Sequence, residues 1–562
     1  MKRVDNLLDS IVANRKSHIW LFLFVLLVLS LLMMYFYNPL HPGQDFFFHY
    51  RRLQALMDGI KTSPYLIYLD YGTMNGYGYF TKAFYPDLTL IPFALIGNLT
   101  NVEFAYLSMI FVITFLCGLF TYITVNKIYK NSFTASIAAI LYTFCFYRLL
   151  DIYHRAAVGE AITFTFLPLV LLGLYHIIKG DYKKWYILTI GFSLMMFTHL
   201  ISSVLMLLTI IIILLIYCKS LFNEPKRFYY LLLSGVATLL IVSYYIFPLL
   251  EQMMSNNFYY ESRNLTVRAQ DSVFKINWII WGLFSGVVQA RQIFIPGTGL
   301  ILTCILALRL FVYGKSKELR SIDMLVILGL AYIFTTCSLF PWSLFPFNKL
   351  NFIQLPWRLL EFSSFFFAVA GGYYLSSSIK SKKRLFVGGS VIVLATIFVM
   401  INDAQLYKEI RSVKLITEDA SVDDRYHMGG IEYVPDKVPN IEYIRKRGNT
   451  VIADQQEVGL SEVNRINGVT SFSVVTTSKT TMELPLIYYK GYAATIDAKS
   501  ISVEESSHGL VQVSADRSGS VKIYYKGTIV QKVSYYITLV SIIILCVLIT
   551  LQRRRNKGDE TV

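Results

Sequence analysis

The run Ile19-Trp-Leu-Phe-Leu-Phe-Val-Leu-Leu-Val-Leu-Ser-Leu-Leu-Met-Met-Tyr-Phe-Tyr37 decides how the chain is read. It carries no charge, and a helix of its length matches the roughly 20 residues needed to cross about 30 Å of hydrocarbon. The run is longer than the core of a signal peptide, and no small-residue cleavage site follows it, so it reads as a retained anchor. Similar runs recur at about 104–126, 133–147, 161–178, 186–198, 200–217, 228–249, 298–313, 322–340, 358–378, 385–401 and 531–551. The stretch from 186 to 217 would be roughly 48 Å long as a single helix. Lysines flank both of its ends, so it is expected to fold as a hairpin near Thr198-His199.

The fold class expected is therefore an α-helical polytopic membrane protein of about twelve transmembrane helices, with both termini inside. Composition agrees: of 562 residues, 55% are hydrophobic and 16% charged, and the mean hydropathy is +0.51, too apolar for a soluble chain of this size. The runs do not alternate apolar and polar residues, which excludes a β-barrel. A net charge of +16 would suit nucleic acid. Here, however, the basic residues sit in short clusters between apolar runs, from Lys2/Arg3/Arg15/Lys16 to Arg553–Arg555 with Lys557, and such clusters encode topology. All are assigned to the cytoplasm, and nucleic acid is not an expected partner. The six cysteines fall within or at the ends of apolar runs and show neither a disulfide framework nor metal-ligand spacing.

This topology divides the chain into a membrane module over 1–401, a segment over 402–530, and a last helix with a basic tail over 531–562. It places outside the loops at about 38–103, 148–160, 250–297 and 341–357 and the 402–530 segment. That segment contains short alternating runs such as Ser471-Phe-Ser-Val-Val-Thr-Thr and Val521-Lys-Ile-Tyr-Tyr, which read as a small extracytoplasmic β-rich domain.

The outer loops hold the candidate chemistry. His41-Pro-Gly-Gln-Asp45-Phe-Phe-Phe-His49-Tyr-Arg51-Arg52 follows the first anchor. A helix starting at Asp45 and ending near Gly59 would put Asp45, His49 and Arg52 on one face, with the phenylalanines turned into lipid or protein. A partly desolvated carboxylate flanked by cations is suited to proton transfer or to binding a metal or phosphate; the plainer role for an Asp after Pro-Gly is a helix cap. Gly76-Tyr-Gly-Tyr-Phe80 and Phe84-Tyr85-Pro86 could stack on sugar or form an interfacial aromatic belt. Arg148-Leu-Leu-Asp151-Ile-Tyr-His154-Arg155-Ala-Ala-Val-Gly-Glu160 crowds five ionisable residues between two apolar runs, where such groups mark a pathway or site. His199 at the expected hairpin turn and Arg358 in Pro-Trp-Arg358 at the start of an apolar run complete the set. No P-loop, dinucleotide fingerprint, paired CxxC or HExxH is present. Sequons occur at Asn98 and Asn264.

An inside anchor, a long outer loop opening on an Asp, a second charged outer loop and a late outer domain resemble the GT-C glycosyltransferases. Gly43-Gln-Asp45-x3-His49-x2-Arg52, Tyr85-Pro86, His154-Arg155-Ala-Ala-x-Gly-Glu160, Pro-Trp-Arg358 and Leu484-Pro-Leu-Ile-Tyr-Tyr-Lys-Gly491 more narrowly resemble the bacterial YfhO-type proteins. They also resemble the membrane family labelled 6-pyruvoyl-tetrahydropterin synthase-related, although the zinc-binding histidine triad of a soluble pterin synthase is absent. The resemblance implies an inverting transferase in a bacterial plasma membrane, moving sugar from a polyprenyl-phosphate donor to a cell-envelope polymer such as teichoic acid or a wall polysaccharide on the outer face. A sugar-lipid synthase and a flippase are the further partners it implies. Asp45 would match the catalytic base. His49, Arg52, Tyr85, Asp151, His154, Arg155, Glu160, His199 and Arg358 would bind substrate, with His154, Arg155 and Arg358 on the donor phosphate. Asp45 lacks the adjacent second acid of many such enzymes, so Mg²⁺ or Mn²⁺ is an open option and no other cofactor is expected. The alternative is a flippase or transporter of lipid-linked saccharide.

Overall fold

In the computed structural model, residues 15–63, 65–263, 265–284, 296–410 and 431–559 are described. The Lys2/Arg3 cluster, the sequon at Asn264 and residues 411–430 of the expected outer domain lie outside them. Five helices are long and apolar enough to cross a membrane: Ser17–Phe36, Val102–Tyr129, Val158–Ile178, Lys382–Glu409 and Ile529–Arg554. Two bent pairs bring the number to seven, Ser132–Thr143 with Phe146–His154 (40°) and Pro225–Ile241 with Ser243–Ser255 (65°).

The twelve expected crossings are not all matched by helices of spanning length. Tyr186–Met196, with 11 residues, reaches only about 16 Å. Gly299–Ile305 gives way to a tighter 3₁₀ turn over Leu306–Phe311. The chain does break at Phe197–His199, and the His199 ring accepts the Ser202 amide hydrogen at the start of Leu200–Ile216.

Contacts group the chain into two compact units that do not follow the order expected from the sequence: residues 1–46, 107–235 and 267–416, and residues 47–106, 236–266 and 417–562. In the first unit Val158–Ile178 is central. Its most apolar window is 78% buried, against 11% for Lys382–Glu409. It packs closely on Tyr186–Met196 because two glycines face the contact. A methyl at Gly173 would stand 2.2 Å from the Leu188 backbone nitrogen, and one at Gly191 would stand 2.8 Å from that of Val170. Small residues at a helix contact let backbones approach in this way.

Upstream, Asn131 caps Ser132–Thr143 by accepting from the Thr134 amide. The helix then breaks at Phe144-Cys145, resumes at Phe146–Leu149 and widens into a π-turn over Leu150–His154.

The second unit carries a two-sheet antiparallel domain. Its strands are β1 (Ile452–Ala453), β2 (Gly459–Leu460), β3 (Asn464–Ile466), β4 (Val469–Val475), β5 (Thr480–Ile487), β6 (Tyr492–Ile496), β7 (Lys499–Ile501), β8 (Val503–Glu505), β9 (Leu510–Ala515) and β10 (Gly519–Tyr525). One sheet runs β1-β5-β9-β8. The other runs β2-β4-β10-β6-β7, with β3 beside β4. Val521 on β10 lies opposite Phe472 and Ile496, so inward residues meet across both neighbours. Phe472, Val474, Met482, Leu484, Val513 and Ile523 form the core between the sheets, as period-two alternation requires.

The aromatic stretch of the first loop belongs to this unit and is buried. Tyr77, Tyr79 and Phe80 are at most 2% exposed. The Tyr77 carbonyl accepts from the Ile487 amide at 2.9 Å, and the Tyr77 hydroxyl donates to the Gly448 carbonyl at 2.5 Å. The expected sugar-stacking role for these rings is therefore corrected: they fasten the loop to the β domain.

Gly173→Ala is expected to destabilise the protein by about 1–3 kcal/mol, because the methyl meets backbone that cannot turn aside. Gly235→Ala, where nothing lies within 4 Å, should be neutral or mildly stabilising. Thermal unfolding of the two variants in detergent checks the pair, and equal midpoints would refute the close-packing argument.

Candidate functional site

In the first unit Glu160 is 1% exposed and receives three donors. Arg155 Nη1 donates to Oε2 at 2.9 Å, Arg358 Nε donates to the same oxygen at 3.3 Å, and the Tyr147 hydroxyl donates to Oε1 at 2.5 Å. Arg155 Nη1 also reaches Asp151 Oδ1 at 2.5 Å. Arg358 is further held by the Ile353 carbonyl at 2.9 Å and Gln354 Oε1 at 3.1 Å. A carboxylate this deep is tolerated only when paired and hydrogen-bonded.

The π-turn brings Asp151 and Arg155 together. Its wider winding is recorded in the bonds from Arg155 N to Leu150 O (2.9 Å) and Ala157 N to Asp151 O (2.8 Å). Ala156 follows in the left-handed region at φ +54°, a conformation that costs free energy in a non-glycine residue. These features stop the helix and turn the 154–155 carbonyls outward.

Those carbonyls hold Asp45 in place. Gln44 N donates to His154 O at 3.3 Å, and Asp45 N donates to Arg155 O at 2.7 Å. Gly43 makes the approach possible, since a methyl there would lie 2.7 Å from both Ala156 Cβ and Tyr153 O. Asp45 sits in the turn before helix Phe46–Thr62. The expected helix thus begins one residue later and ends three residues later than read from the sequence. Asp45 stands at its threshold, one residue before the first helical position.

Asp45 is exposed, with the charge cluster of Arg155, Glu160 and Arg358 nearby. Desolvation raises its carboxyl above the ordinary aspartate range; the Arg155 and Arg358 charges offset part of the rise, and Glu160 adds to it.

Of the remaining expected site residues, Asp151, Arg155, Glu160 and Arg358 form one cluster. His199 lies close enough to act on Glu160 electrostatically, with its Nδ1 at 2.8 Å from the Ser202 hydroxyl. His154 turns away from the cluster. Its Nε2 lies 3.1 Å from Asp403 Oδ2, and Asp403 also accepts from the Tyr37 hydroxyl. The expected phosphate-holding residue is thus buried beside an acid.

His49, Arg52 and Tyr85 form a separate group in the second unit. Arg52 Nη1 lies 2.9 Å from His49 Nδ1, Arg52 Nη2 donates to the Pro86 carbonyl at 2.5 Å, and the guanidinium stacks 4.1 Å above the Tyr85 ring.

No family model, curated protein or solved structure matches this chain.

The sequence reading missed Tyr147, Glu361 and Asp403. Glu361 is fully buried and accepts from Thr163 at 2.9 Å, and its Oε2 has no hydrogen-bond partner among the described residues. Its spacing three residues after Arg358 inside an apolar run was the available signal. Asp403 gave a similar one, as an acid at the end of a long apolar helix.

Asp151 and Glu160 are both committed to Arg155. The guanidinia do keep free donors. Among the described residues Nη2 of Arg155 and of Arg358 has no protein hydrogen bond, and their side chains remain 9% and 10% exposed.

Two outcomes follow from these contacts. Glu160→Ala removes the carboxylate that two buried guanidinia share, leaving Arg155 with Asp151 and Arg358 with neutral acceptors, and is expected to cost about 3 kcal/mol, whereas Glu160→Gln keeps an acceptor and should lose less; thermal midpoints compare them. Because the Asp45 carboxyl is raised in the fold, its neutral form contributes stability that is complete below the ordinary aspartate value of about 4 and is lost as pH rises through the raised value. Asp45→Asn should therefore gain stability relative to the parent as pH rises from about 4 toward neutrality. A gap that does not change with pH in unfolding curves would contradict the shift.

Proposed function

We propose that this chain is a membrane glycosyltransferase of the GT-C kind, with about twelve crossings, acting on the outer face of a bacterial plasma membrane. It takes sugar from a polyprenyl-phosphate donor and passes it to a hydroxyl of a cell-envelope polymer, inverting the anomeric centre. The observation that carries this reading is Asp45: a solvent-open, desolvated carboxylate just beyond an apolar helix, fixed by backbone bonds beside two guanidinia with spare donors.

Asp45 accepts the proton of the acceptor hydroxyl as its oxygen bonds to the anomeric carbon. A carboxyl raised above the usual range is a better base for this step. The bond from anomeric carbon to phosphate oxygen breaks with its electron pair on the oxygen, and Nη2 of Arg155 and of Arg358 hold the charge that develops there. Glu160 acts through these arginines as a positioning residue, fixing both forks before substrate arrives. No step is assigned to a metal.

A second reading, transport of a lipid-linked saccharide, is favoured by one observation. Glu361 is buried with an unpartnered oxygen in the same unit as the bent pair Ser132–Thr143 and Phe146–His154, and acids beside broken helices are used by transporters.

In proteoliposomes supplied with polyprenyl-phosphate sugar and an envelope-polymer acceptor, Asp45→Asn is expected to abolish glycosyl product while leaving the folded fraction unchanged. Arg155→Lys should weaken donor use by about tenfold or more, because a point charge replaces a fork. Full transfer by Asp45→Asn would end the base assignment. Labelled saccharide crossing sealed vesicles with no glycosyl product would favour the transport reading.

A further inference from the structure

At the opposite end of helix Arg15–Phe36 from Asp45, the first unit contains a groove of about 990 Å³. Its sides are apolar, formed by Phe22, Val25, Ile137, Ile140, Phe386 and Leu394. Lys127, Lys130, Lys382 and His18 gather at one end, with His18 Nε2 at 3.1 Å from the Ser136 hydroxyl. No acidic side chain lines it among the described residues, and none of the three lysines has an ion-pair partner there. A smaller groove of about 370 Å³ in the same unit differs in that Glu318 lines it together with Lys179 and Lys317.

The dimensions of the larger groove are informative. From Lys382 to Leu394 the wall helix rises about 18 Å at about 1.5 Å per residue, close to the roughly 15 Å of one leaflet of hydrocarbon. The lysines mark its headgroup end. Two helices, Ser132–Thr143 and Lys382–Ile410, also begin there, so their amino-terminal dipoles add to the positive field. A groove as long as an acyl chain, mostly apolar along its length and lined by cations without acids among the described residues, complements one kind of molecule.

We propose that this groove is a binding site for an anionic phospholipid, with its phosphate among Lys127, Lys130 and Lys382 and an acyl chain along Phe22, Ile137 and Phe386. The site lies at the membrane face opposite Asp45 and does not depend on the reading given to that residue. Its occupant ties the first helix to Ser132–Thr143 and Lys382–Ile410, so binding stabilises the folded chain by mass action.

The test uses the full chain in detergent micelles, titrated with phosphatidylglycerol, with phosphatidylcholine of the same acyl chains, and with inorganic phosphate. It is read by thermal midpoint and by native mass spectrometry. Phosphatidylglycerol is expected to raise the midpoint saturably and to be retained as one molecule per chain. Phosphatidylcholine should bind at least about tenfold more weakly, and inorganic phosphate should give no shift, since charge and chain are both needed. The combined variant Lys127→Ala, Lys130→Ala, Lys382→Ala should lose roughly a hundredfold in affinity for phosphatidylglycerol, and the corresponding arginine variant should retain it. Gly389→Leu, which fills the groove and leaves the lysines in place, should also block retention and keeps the test valid if the alanine variant does not fold. Equal binding of phosphatidylcholine, the same shift with inorganic phosphate, unchanged binding by the alanine variant, or a second copy of the chain retained in place of lipid would each overturn the proposal.

Discussion

The buried Glu160 carboxylate is the constraint on which the rest of the first unit depends. An ionised carboxylate removed from water is expensive unless its lone pairs are filled, and Glu160 fills them from three directions, with Arg155, Arg358 and Tyr147. Those donors come from the segment before its own helix and from a segment about 200 residues downstream. One side chain thereby fixes the relative placement of Phe146–Leu149, the π-turn, Val158–Ile178 and the start of Leu360–Ser378. A hydrophobic replacement of similar volume would not aim two guanidinia.

The backbone irregularities are consequences of the same requirement. A regular helix through 150–157 would bury the carbonyls of His154 and Arg155 in its own hydrogen bonds. The π-turn and the left-handed Ala156 release them, and the amides of Gln44 and Asp45 occupy them instead. His154 and Asp403 brace the other side of this segment, where the Tyr37 and Tyr153 rings stack 3.7 Å apart. The strained turn is thus held from both sides, and local backbone cost is concentrated where the segment carrying Asp45 is held.

Much of this could be read before any coordinates. The uncharged run from Ile19 to Tyr37 forms a helix, the chain breaks beside His199, and the alternating segments near Ser471 and Val521 are strands. The crowding of ionisable residues from Arg148 to Glu160 marked a site-forming segment, because charges between apolar runs need partners. The fate of Tyr77, Tyr79 and Phe80 was not legible, since an aromatic and glycine-rich loop suits a sugar groove and a buried seam equally well. Not every expected crossing is matched by a helix of spanning length, for a related reason. Apolar runs near 186–198 and 298–313 are long enough by composition, but the structure breaks or shortens them into the 11-residue helix Tyr186–Met196 and into Gly299–Ile305 with its 3₁₀ continuation.

The sequence by itself determined that the chain is apolar and largely helical, that a β-rich segment precedes its last helix, and which charged residues sit at the edges of apolar runs. Periodicity and transfer free energy are local properties and can be read from neighbours in the chain. Only the tertiary structure decided which charges meet. It paired Arg155 with Asp151 and Glu160, brought Arg358 to the same carboxylate, sent His154 to Asp403, and joined Arg52 to His49 and Tyr85. The physical reason is that a buried charge is satisfied by whatever partner the packing delivers, and packing depends on contacts between residues far apart in the chain.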